Sequence, residues 1–307
     1  MLSIFQFVCY VILFLAGMAV MRTGLMNISG SRLKNWLLLF TSSPVKGFLF
    51  GIVVTILLQS SSAVMILTVG LISAGLLSFT RSIGIILGTN VGTTATLEFL
   101  AYGTDEMIIP LLLAGSVCII FPQSKIRSAG LFFYGLGAVF LAMFGFERLA
   151  VPLSKSGIIH TFIEKINEDI LFAVIAGCII TAIIQSSTAL TGIAMGFMNA
   201  HLLTLPAGIA LMLGANIGTC ADAYIASIGG GKEAKLTAWA HIWLNVAGVL
   251  LFMPFIDVFA GAMTSLSPMP EKQLAHASVF FNVIVSLLVL PFSKPFASFV
   301  QWIHVRK

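Results

Sequence analysis

One polar motif occurs twice in this chain, each time in the middle of a long apolar run. The two copies, 126 positions apart, are Gln59, Ser60, Ser61 and Ser62, and Gln185, Ser186, Ser187 and Thr188. Hydroxyl and amide groups cost free energy in hydrocarbon unless they find hydrogen-bonding partners. A motif that recurs in register therefore predicts a duplicated fold in which the two halves share one polar site.

The composition places this site in a membrane. Hydrophobic residues make up 59% of the chain and charged residues only 9%, whereas soluble domains carry about 25% charged residues. Long apolar runs with so few charges predict an all-α polytopic protein of the plasma membrane. The net charge of +5 does not indicate a nucleic-acid partner, because the basic residues are spread over short loops, as positive-inside topology requires. The lipid bilayer is the expected surrounding, and the sequence leaves a homodimer open.

The apolar runs that carry the motif have unusual lengths. They cover residues 47–79 and 170–200, whereas one helical span needs about 20 residues and two spans with a turn need about 40. Each run is therefore too long for one crossing and too short for two. We expect a re-entrant helical hairpin, or a helix broken at the motif, in both places.

A second polar cluster follows each motif at the same distance. Residues 88–93 read GTNVGT and residues 214–219 read GANIGT. From Gln59 to Thr93, 14 of 35 positions are identical in the second copy. One such glycine-flanked cluster alone is more typical of helix packing. Its recurrence in register with the motif favours a functional role, in which the glycines let the backbone approach closely or unwind.

The distribution of basic residues predicts how the chain crosses the membrane. The loop from Arg22 to Lys46 holds four basic residues and no acidic one, so we expect it in the cytoplasm. Continuing this rule gives seven crossings and two hairpins, with the N-terminus outside and the C-terminus in the cytoplasm. The predicted domains are two membrane repeats, residues 5–122 and 131–258, and an extra helix, residues 277–300. The repeats would have inverted topology, as in many secondary transporters, which bind substrate between their repeats.

The motifs offer the chemistry of an ion site. Exposed N–H groups at a helix N-terminus carry partial positive charge, and Gln, Ser and Thr side chains add donors for an anion. Freed carbonyl and side-chain oxygens suit a small hard cation such as Na⁺ rather than a transition metal. The candidates for the cation role are Thr89, Asn90, Thr93, Glu98, Asn216, Thr219 and Asp222.

The remaining polar residues of the apolar runs have simpler interpretations. No Lys or Arg is placed at mid-membrane, so we expect helix ends, hydroxyls, amides and co-bound cations to offset the charge of an anion. His241 with Asn245, and His276 with Asn282, lie near the ends of the last two spans. Interface anchoring or helix–helix hydrogen bonding explains them better than catalysis does.

Together the motifs resemble the type II sodium-dependent phosphate cotransporter family. The resemblance covers both halves and implies sodium-coupled symport of inorganic phosphate by alternating access, with Na⁺ as coupling ion and no other cofactor. It implies that all eight motif residues bind phosphate, and that Asn90, Thr93, Asn216 and Thr219 belong to adjoining unwound segments. Thr188 departs from the third serine typical of the family. The chain is similar to a bacterial short form without the C-terminal regulatory domain of many relatives, so phosphate-responsive regulation is not expected.

Three other functions compete with sodium–phosphate symport. The nearest is the same fold moving another oxyanion or exporting phosphate, and a passive channel is a further one. An intramembrane serine hydrolase needs an activating base within reach of its serine. The sequence has no GxSxG motif and no His or Lys placed beside either copy of the motif. We therefore expect a transporter and not an enzyme.

Overall fold

The computed structural model describes residues 2–29 and 43–305, and every regular element in those ranges is a helix. Six helical segments there are long and apolar enough to cross a membrane. This confirms the prediction of an all-α polytopic membrane protein. Residues 30–42, most of the loop predicted to be cytoplasmic, and the basic C-terminal pair Arg306 and Lys307 lie outside the described residues.

The first half of the chain contains the first motif between two short helices. Its helices are α1 (Leu2–Ser29), α2 (Pro44–Leu58), α3 (Ser61–Ser73), α4 (Phe79–Ala101) and α5 (Asp105–Ile120). One of the seven predicted crossings falls on α5, which has 16 residues and is not among the six long segments. The other six predicted crossings each have a matching long helix.

The second half repeats this order and then continues. Its helices are α6 (Ser124–Ser154), α7 (Gly157–Glu168), α8 (Ile170–Ile184), α9 (Ser187–Asn199), α10 (Leu205–Gly218), α11 (Cys220–Ala226), α12 (Lys232–Phe252), α13 (Ile256–Thr264), α14 (Pro270–Val289) and α15 (Ser293–Val305). Two 3-10 turns contain proline. Met253–Phe255 separates α12 from α13, and Leu290–Phe292 separates α14 from α15. Proline cannot donate the backbone hydrogen bond of an α-helix, so the helix predicted over residues 277–300 is divided into α14 and α15.

Both motif runs are helices broken at the glutamine, as the run lengths predict. Gln59 ends α2 with φ 49°, and Gln185 ends α8 with φ 58°. A left-handed residue cannot continue a right-handed helix, so a new helix begins after the following serine. The 15 residues of α2 and 13 of α3 reach roughly 22 and 20 Å, less than the roughly 30 Å of a bilayer core. The re-entrant orientation stays a prediction.

The glycines of the second clusters pack helices closely. A Cβ on Gly88 of α4 would collide with the backbone carbonyl of Phe48 in α2, and a Cβ on Gly214 of α10 would collide with that of Val174 in α8. The two pairs lie 126 positions apart. The backbone is helical through Asn90 and Thr93, which lie inside α4.

The prediction that the second clusters are unwound is therefore wrong for the first half. In the second half Asn216 lies within α10, and only Thr219 stands at a break, between α10 and α11. The physical reason is that these glycines serve close helix contact, for which a regular helix is required. Of the two roles that the sequence offered for the glycines, close approach holds and unwinding does not.

The two halves meet mainly along α1 and α6, which pack against each other over much of their length. A Cβ on Gly17 would meet the Gly135 carbonyl at 2.9 Å, so small residues set the close approach. Helix α14 packs on α4, where Ser286 Oγ donates to the Leu87 carbonyl at 3.2 Å. The extra C-terminal helix thus supports the helix that follows the first hairpin.

Candidate functional site

The two motif tips have the same local geometry. Ser60 caps α3, and its Oγ accepts a hydrogen bond from Ala63 N at 3.1 Å. Ser186 caps α9 in the same way, with its Oγ 3.2 Å from Ala189 N. The first N–H groups of a helix have no partner within the helix. Each tip therefore presents backbone donors, a positive helix end and several hydroxyls.

Both tips line one cavity of about 150 Å³. All eight predicted phosphate-binding residues border this cavity, which also receives Thr93 and Thr96 from α4 and Thr219 from the break before α11. A tetrahedral anion has four oxygens, and one water occupies about 30 Å³ in the liquid, so the cavity has room for one such anion. The structure thus brings together the two motifs that lie 126 positions apart in the sequence.

Arg22 is a lining residue that sequence reasoning missed. The prediction put it at the start of a cytoplasmic loop, but it lies within α1 and borders the motif cavity. Its Nη2 donates to the Gln59 carbonyl at 3.3 Å, while its buried Nε has no hydrogen-bond partner. One signal was available, because the apolar pattern resumes after Arg22 with Leu25 and Met26. The expectation that no cation stands near the motifs is therefore corrected.

Asp222 lies at the open end of the site. A larger cavity of about 420 Å³ shares Arg22, Ser60, Ser62 and Gln185 with the motif cavity and adds Asp222 to its lining. The Asp222 carboxylate accepts a hydrogen bond from the Ser62 hydroxyl. This bond joins the tip of the first hairpin to α11 of the second half. A carboxyl group and a guanidinium group therefore line the same space.

An apolar cluster that contains aromatic side chains lies next to the motif cavity. Phe14 of α1 is fully buried, and its ring lies 5.9 Å from that of Phe146 in α6. Phe14 also borders Gly192 of α9, where an added Cβ would meet its ring at 3.3 Å. Leu15 and Met18, which follow Phe14 on α1, line the cavity itself. Leu15 and Met18 thus connect the lining of the cavity to a buried apolar cluster of α1 and α6.

Four of the seven predicted cation ligands line neither the motif cavity nor the larger cavity at Asp222. Thr89 donates to the Ile86 carbonyl at 2.8 Å within its own helix, and Asn216 donates to the Met212 carbonyl at 3.3 Å. Asn90 donates to Asn245 Oδ1 at 3.1 Å and contacts His241. Their role as cation ligands stays a prediction, whereas Thr93, Thr219 and Asp222 stand at the site.

Glu98 is the fourth of these residues. Its carboxylate lies 2.7 Å from His276 Nδ1 of α14, so it joins the extra C-terminal helix to α4. The contact of His241 with Asn90 is of the same kind, 3.3 Å between side chains on different helices. The interpretation of both histidines as helix–helix hydrogen-bonding residues is confirmed.

Comparison with known proteins gives several relatives. The chain is 43% identical over 296 residues to the Bacillus subtilis protein YqeW, covering 96% of each. It is 26% identical over 304 residues to the Escherichia coli protein named putative inorganic phosphate export protein YjbB, and it spans 56% of the length of that relative. A segment of 55 residues is 47% identical to the sheep sodium-dependent phosphate transport protein 2A, covering 18% of this chain and 9% of that protein. No solved structure matches.

The family model described as Na⁺/Pi-cotransporter matches residues 13–148 and again residues 151–268. The two matches cover both hairpins, both glycine-flanked clusters and Arg22. The family consists of transporters, so the serine hydrolase alternative is set aside. With most of its length matched by this model, the chain belongs to the Na⁺/Pi-cotransporter family.

Proposed function

We propose that this chain moves inorganic phosphate across the membrane together with Na⁺, and that phosphate binds in the motif cavity. The observation that carries the proposal is the convergence of two helix N-termini, six hydroxyl side chains of the motifs and Arg22 on one space. Helix N-termini and guanidinium groups are the usual ligands of phosphate in proteins. Hydroxyls supply further donors that do not add charge.

Sodium would bind beside the phosphate, through oxygens. Thr93 and Thr219 border the motif cavity, and Thr219 stands at the break between α10 and α11, where helix carbonyls are least constrained. Small hard cations take such hydroxyl, carbonyl and carboxylate oxygens as ligands. A co-bound cation lowers the electrostatic cost of holding an anion in an apolar surrounding. This gives a physical reason for coupling.

Alternating access would expose the site to each side in turn. In the described conformation the motif cavity shares four lining residues with the larger cavity at Asp222. Two rigid repeats that rock around a shared site produce such opposite states in many secondary transporters. By the distribution of basic residues, the end at Asp222 is the cytoplasmic one, because Lys232 and Lys235 follow it in sequence.

Export is the second candidate function. The Escherichia coli relative that matches over 304 residues is named as a putative inorganic phosphate export protein. The sheep relative is named as sodium-dependent, and its match is confined to 55 residues. The same site serves either direction, because direction follows from ion gradients and gating.

Transport in reconstituted vesicles tests the proposal. Purified protein in liposomes is given radiolabelled phosphate outside and a Na⁺ gradient directed inward, with an equal K⁺ gradient as control. Saturable uptake that requires Na⁺ is expected. Vesicles loaded with labelled phosphate and facing the reverse gradient report export. Absence of phosphate movement under every gradient, in vesicles shown to hold folded protein, contradicts the proposal.

Removal of either motif glutamine tests the site itself. Gln59→Ala and Gln185→Ala are both expected to abolish uptake, at least about 100-fold, because each removes an amide from a tip that binds the ions. Expression and folding should persist in detergent, as size-exclusion chromatography reports. Gln301→Ala, at an exposed position of α15, is the matched control. Uptake at the wild-type rate in both motif variants would refute the assignment.

A further inference from the structure

One basic and one acidic side chain line the site, and neither has a counterpart at the site in the other half. Arg22 and Asp222 border the same larger cavity. The position equivalent to Arg22 in the second half, 126 residues on, is Arg148, which is exposed on α6. The position equivalent to Asp222 in the first half is Thr96. Arginine occurs in both halves, but only Arg22 borders the cavity. The pair of charged groups at the site is therefore not duplicated, and it calls for a chemical role of its own.

We propose that Arg22 and Asp222 select a tetrahedral oxyanion that still carries a proton, such as hydrogen phosphate or hydrogen arsenate, over one that carries none, such as sulfate. This inference rests on the proposed function, since it concerns the anion bound in the motif cavity. It assigns Asp222 to the anion, whereas the sequence predicted it as a ligand of Na⁺.

Arg22 lines the cavity and has no carboxylate partner among the described residues. Only its Nη2 is engaged, with the Gln59 carbonyl at 3.3 Å, and its buried Nε has no partner. Among the described residues, the ion pairs are His160 with Glu164 and His276 with Glu98, so neither charge of the cavity is neutralised by another side chain within ion-pairing distance. A half-buried guanidinium that lacks a carboxylate partner favours an anionic ligand.

Asp222 imposes the proton requirement. An ionised carboxylate only accepts hydrogen bonds; here it accepts one from Ser62, a residue of the motif itself. Hydrogen phosphate can donate its P–OH to Asp222, and the Ser62 hydroxyl can then turn to donate to another phosphate oxygen. The carboxylate keeps one donor throughout. Sulfate has no proton to give, so its oxygens would meet a carboxylate with nothing between them, and like charges repel strongly in a low dielectric.

The charges explain why both groups are needed. Arg22 and the two helix ends attract any anion, sulfate included. Only the Asp222 carboxylate discriminates against sulfate, because specificity in buried sites comes from groups that the incorrect ligand leaves unpaired. If Asp222 instead served Na⁺, its removal would change the dependence on Na⁺ and leave the choice between anions unaltered. The two roles are thus separable by experiment.

Competition with the wild-type protein in vesicles is the first measurement. Uptake of radiolabelled phosphate under the inward Na⁺ gradient is measured against unlabelled phosphate, arsenate, sulfate and monofluorophosphate. The last has the charge and shape of hydrogen phosphate but no proton. We expect arsenate to compete within about threefold of phosphate, and both proton-free anions to compete at least about 100-fold more weakly. Competition by sulfate and monofluorophosphate within about threefold of phosphate overturns the inference.

Asp222→Asn is the second measurement, with Asp257→Asn on the exposed first turn of α13 as control. An amide can donate to an oxygen that carries no proton, so the preference for phosphate over sulfate should fall at least about tenfold. Asp257→Asn should keep the wild-type ratio. If the preference for phosphate over sulfate is unchanged in Asp222→Asn and the Na⁺ dependence of uptake is shifted, the inference is contradicted and Asp222 is instead a ligand of Na⁺.

The two proposals fail in distinguishable ways. If unlabelled phosphate does not compete with labelled phosphate in the wild type, no phosphate site exists and the proposed function fails. If phosphate competes and sulfate competes equally well, only the selection by Arg22 and Asp222 fails. Should Asp222→Asn not fold, the comparison of monofluorophosphate with phosphate in the wild type still decides.

Discussion

The two hairpins share their backbone and differ in the groups beside them. In both, a glutamine in the left-handed region ends one helix and a serine caps the next. In both, a glycine 29 positions after that glutamine brings the following helix onto the hairpin, Gly88 in one half and Gly214 in the other. The duplicated part is therefore a scaffold that holds a broken helix in place.

The side chains around the glutamines are not duplicated. Thr96 Oγ1 donates to Gln59 Oε1 at 2.8 Å, and Arg22 donates to the Gln59 carbonyl. In the second half Asp222 replaces the threonine, and Arg148 lies over the Phe144 ring, 4.7 Å from its centroid. The cavity is thus symmetric in hydroxyls and asymmetric in charge. An anion bound there has a preferred orientation, which a symmetric pair of hairpins alone would not give.

Of the substitutions discussed below, those that disturb the close helix packing in either half should have the largest effect. Gly88→Val and Gly214→Val each place atoms against a helix carbonyl that cannot move without its helix, Phe48 or Val174. We expect each change to destabilise the fold by more than about 3 kcal/mol, so that little folded protein is recovered in detergent. Thermal unfolding followed by size-exclusion chromatography measures this.

Gly70→Ala is the matched control for the two glycine variants. A Cβ at Gly70 of α3 meets nothing within 4 Å, and alanine is a better helix former than glycine by roughly 0.5–1 kcal/mol. It should fold as well as the wild type or slightly better. Recovery of Gly88→Val at the wild-type level would show that α2 and α4 separate more easily than their close packing indicates.

Substitutions of the two equivalent arginines, Arg22 and Arg148, test the asymmetry in charge between the halves. Arg22→Gln should raise the KM for phosphate about 10- to 100-fold, because a hydrogen bond to a charged group contributes about 1.5–3 kcal/mol and each 1.4 kcal/mol is tenfold. Arg148→Gln should leave KM within about threefold, since it loses only an exposed contact with an aromatic ring. Initial rates of uptake over a range of phosphate concentrations give both constants.

A conservative variant separates charge from scaffold. Arg22→Lys keeps a positive charge but not the planar donors, so its KM should lie between those of wild type and Arg22→Gln. A purely structural role for Arg22 would lower the thermal stability of both variants and leave KM unchanged in the protein that folds. If Arg148→Gln raised the KM for phosphate as much as Arg22→Gln does, the two halves would not differ in the role of their arginines.

The broken helices were predictable from the sequence, whereas the charge of the site was not. The lengths of the two motif runs allow no regular span or pair of spans, and this constraint places the break at the motif. Arg22 was not predicted as a residue of the site, because a span of about 20 residues was expected to end at the first charged residue. A long arginine side chain can instead remain on a helix and carry its head group to a polar space. Only the folded neighbours show that this space exists.

The second clusters show a different limit. Two glycines four positions apart suit both close packing and unwinding, and one sequence does not distinguish these. The structure resolves the ambiguity through the carbonyls of α2 and α8, which lie where a Cβ would stand. The same ambiguity explains why Asn90, inside a regular helix, contacts Asn245 and His241 and not the cavity. Distant partners, which no local pattern contains, decide where such a side chain points.

The smallest expected effect comes from the one position where the motifs differ, Ser62 in the first half and Thr188 in the second. Thr188 is largely buried and borders the cavity. Thr188→Ser keeps the hydroxyl and removes one methyl, which costs about 0.8 kcal/mol of stability and should change uptake less than threefold. Thr188→Val keeps the shape and removes the hydroxyl, so it should transport at least about tenfold more slowly. Initial uptake rates at saturating Na⁺ compare the two variants. Equal rates for serine and valine would show that the hydroxyl at this position touches neither ion, and that the two motifs differ in function as well as in sequence.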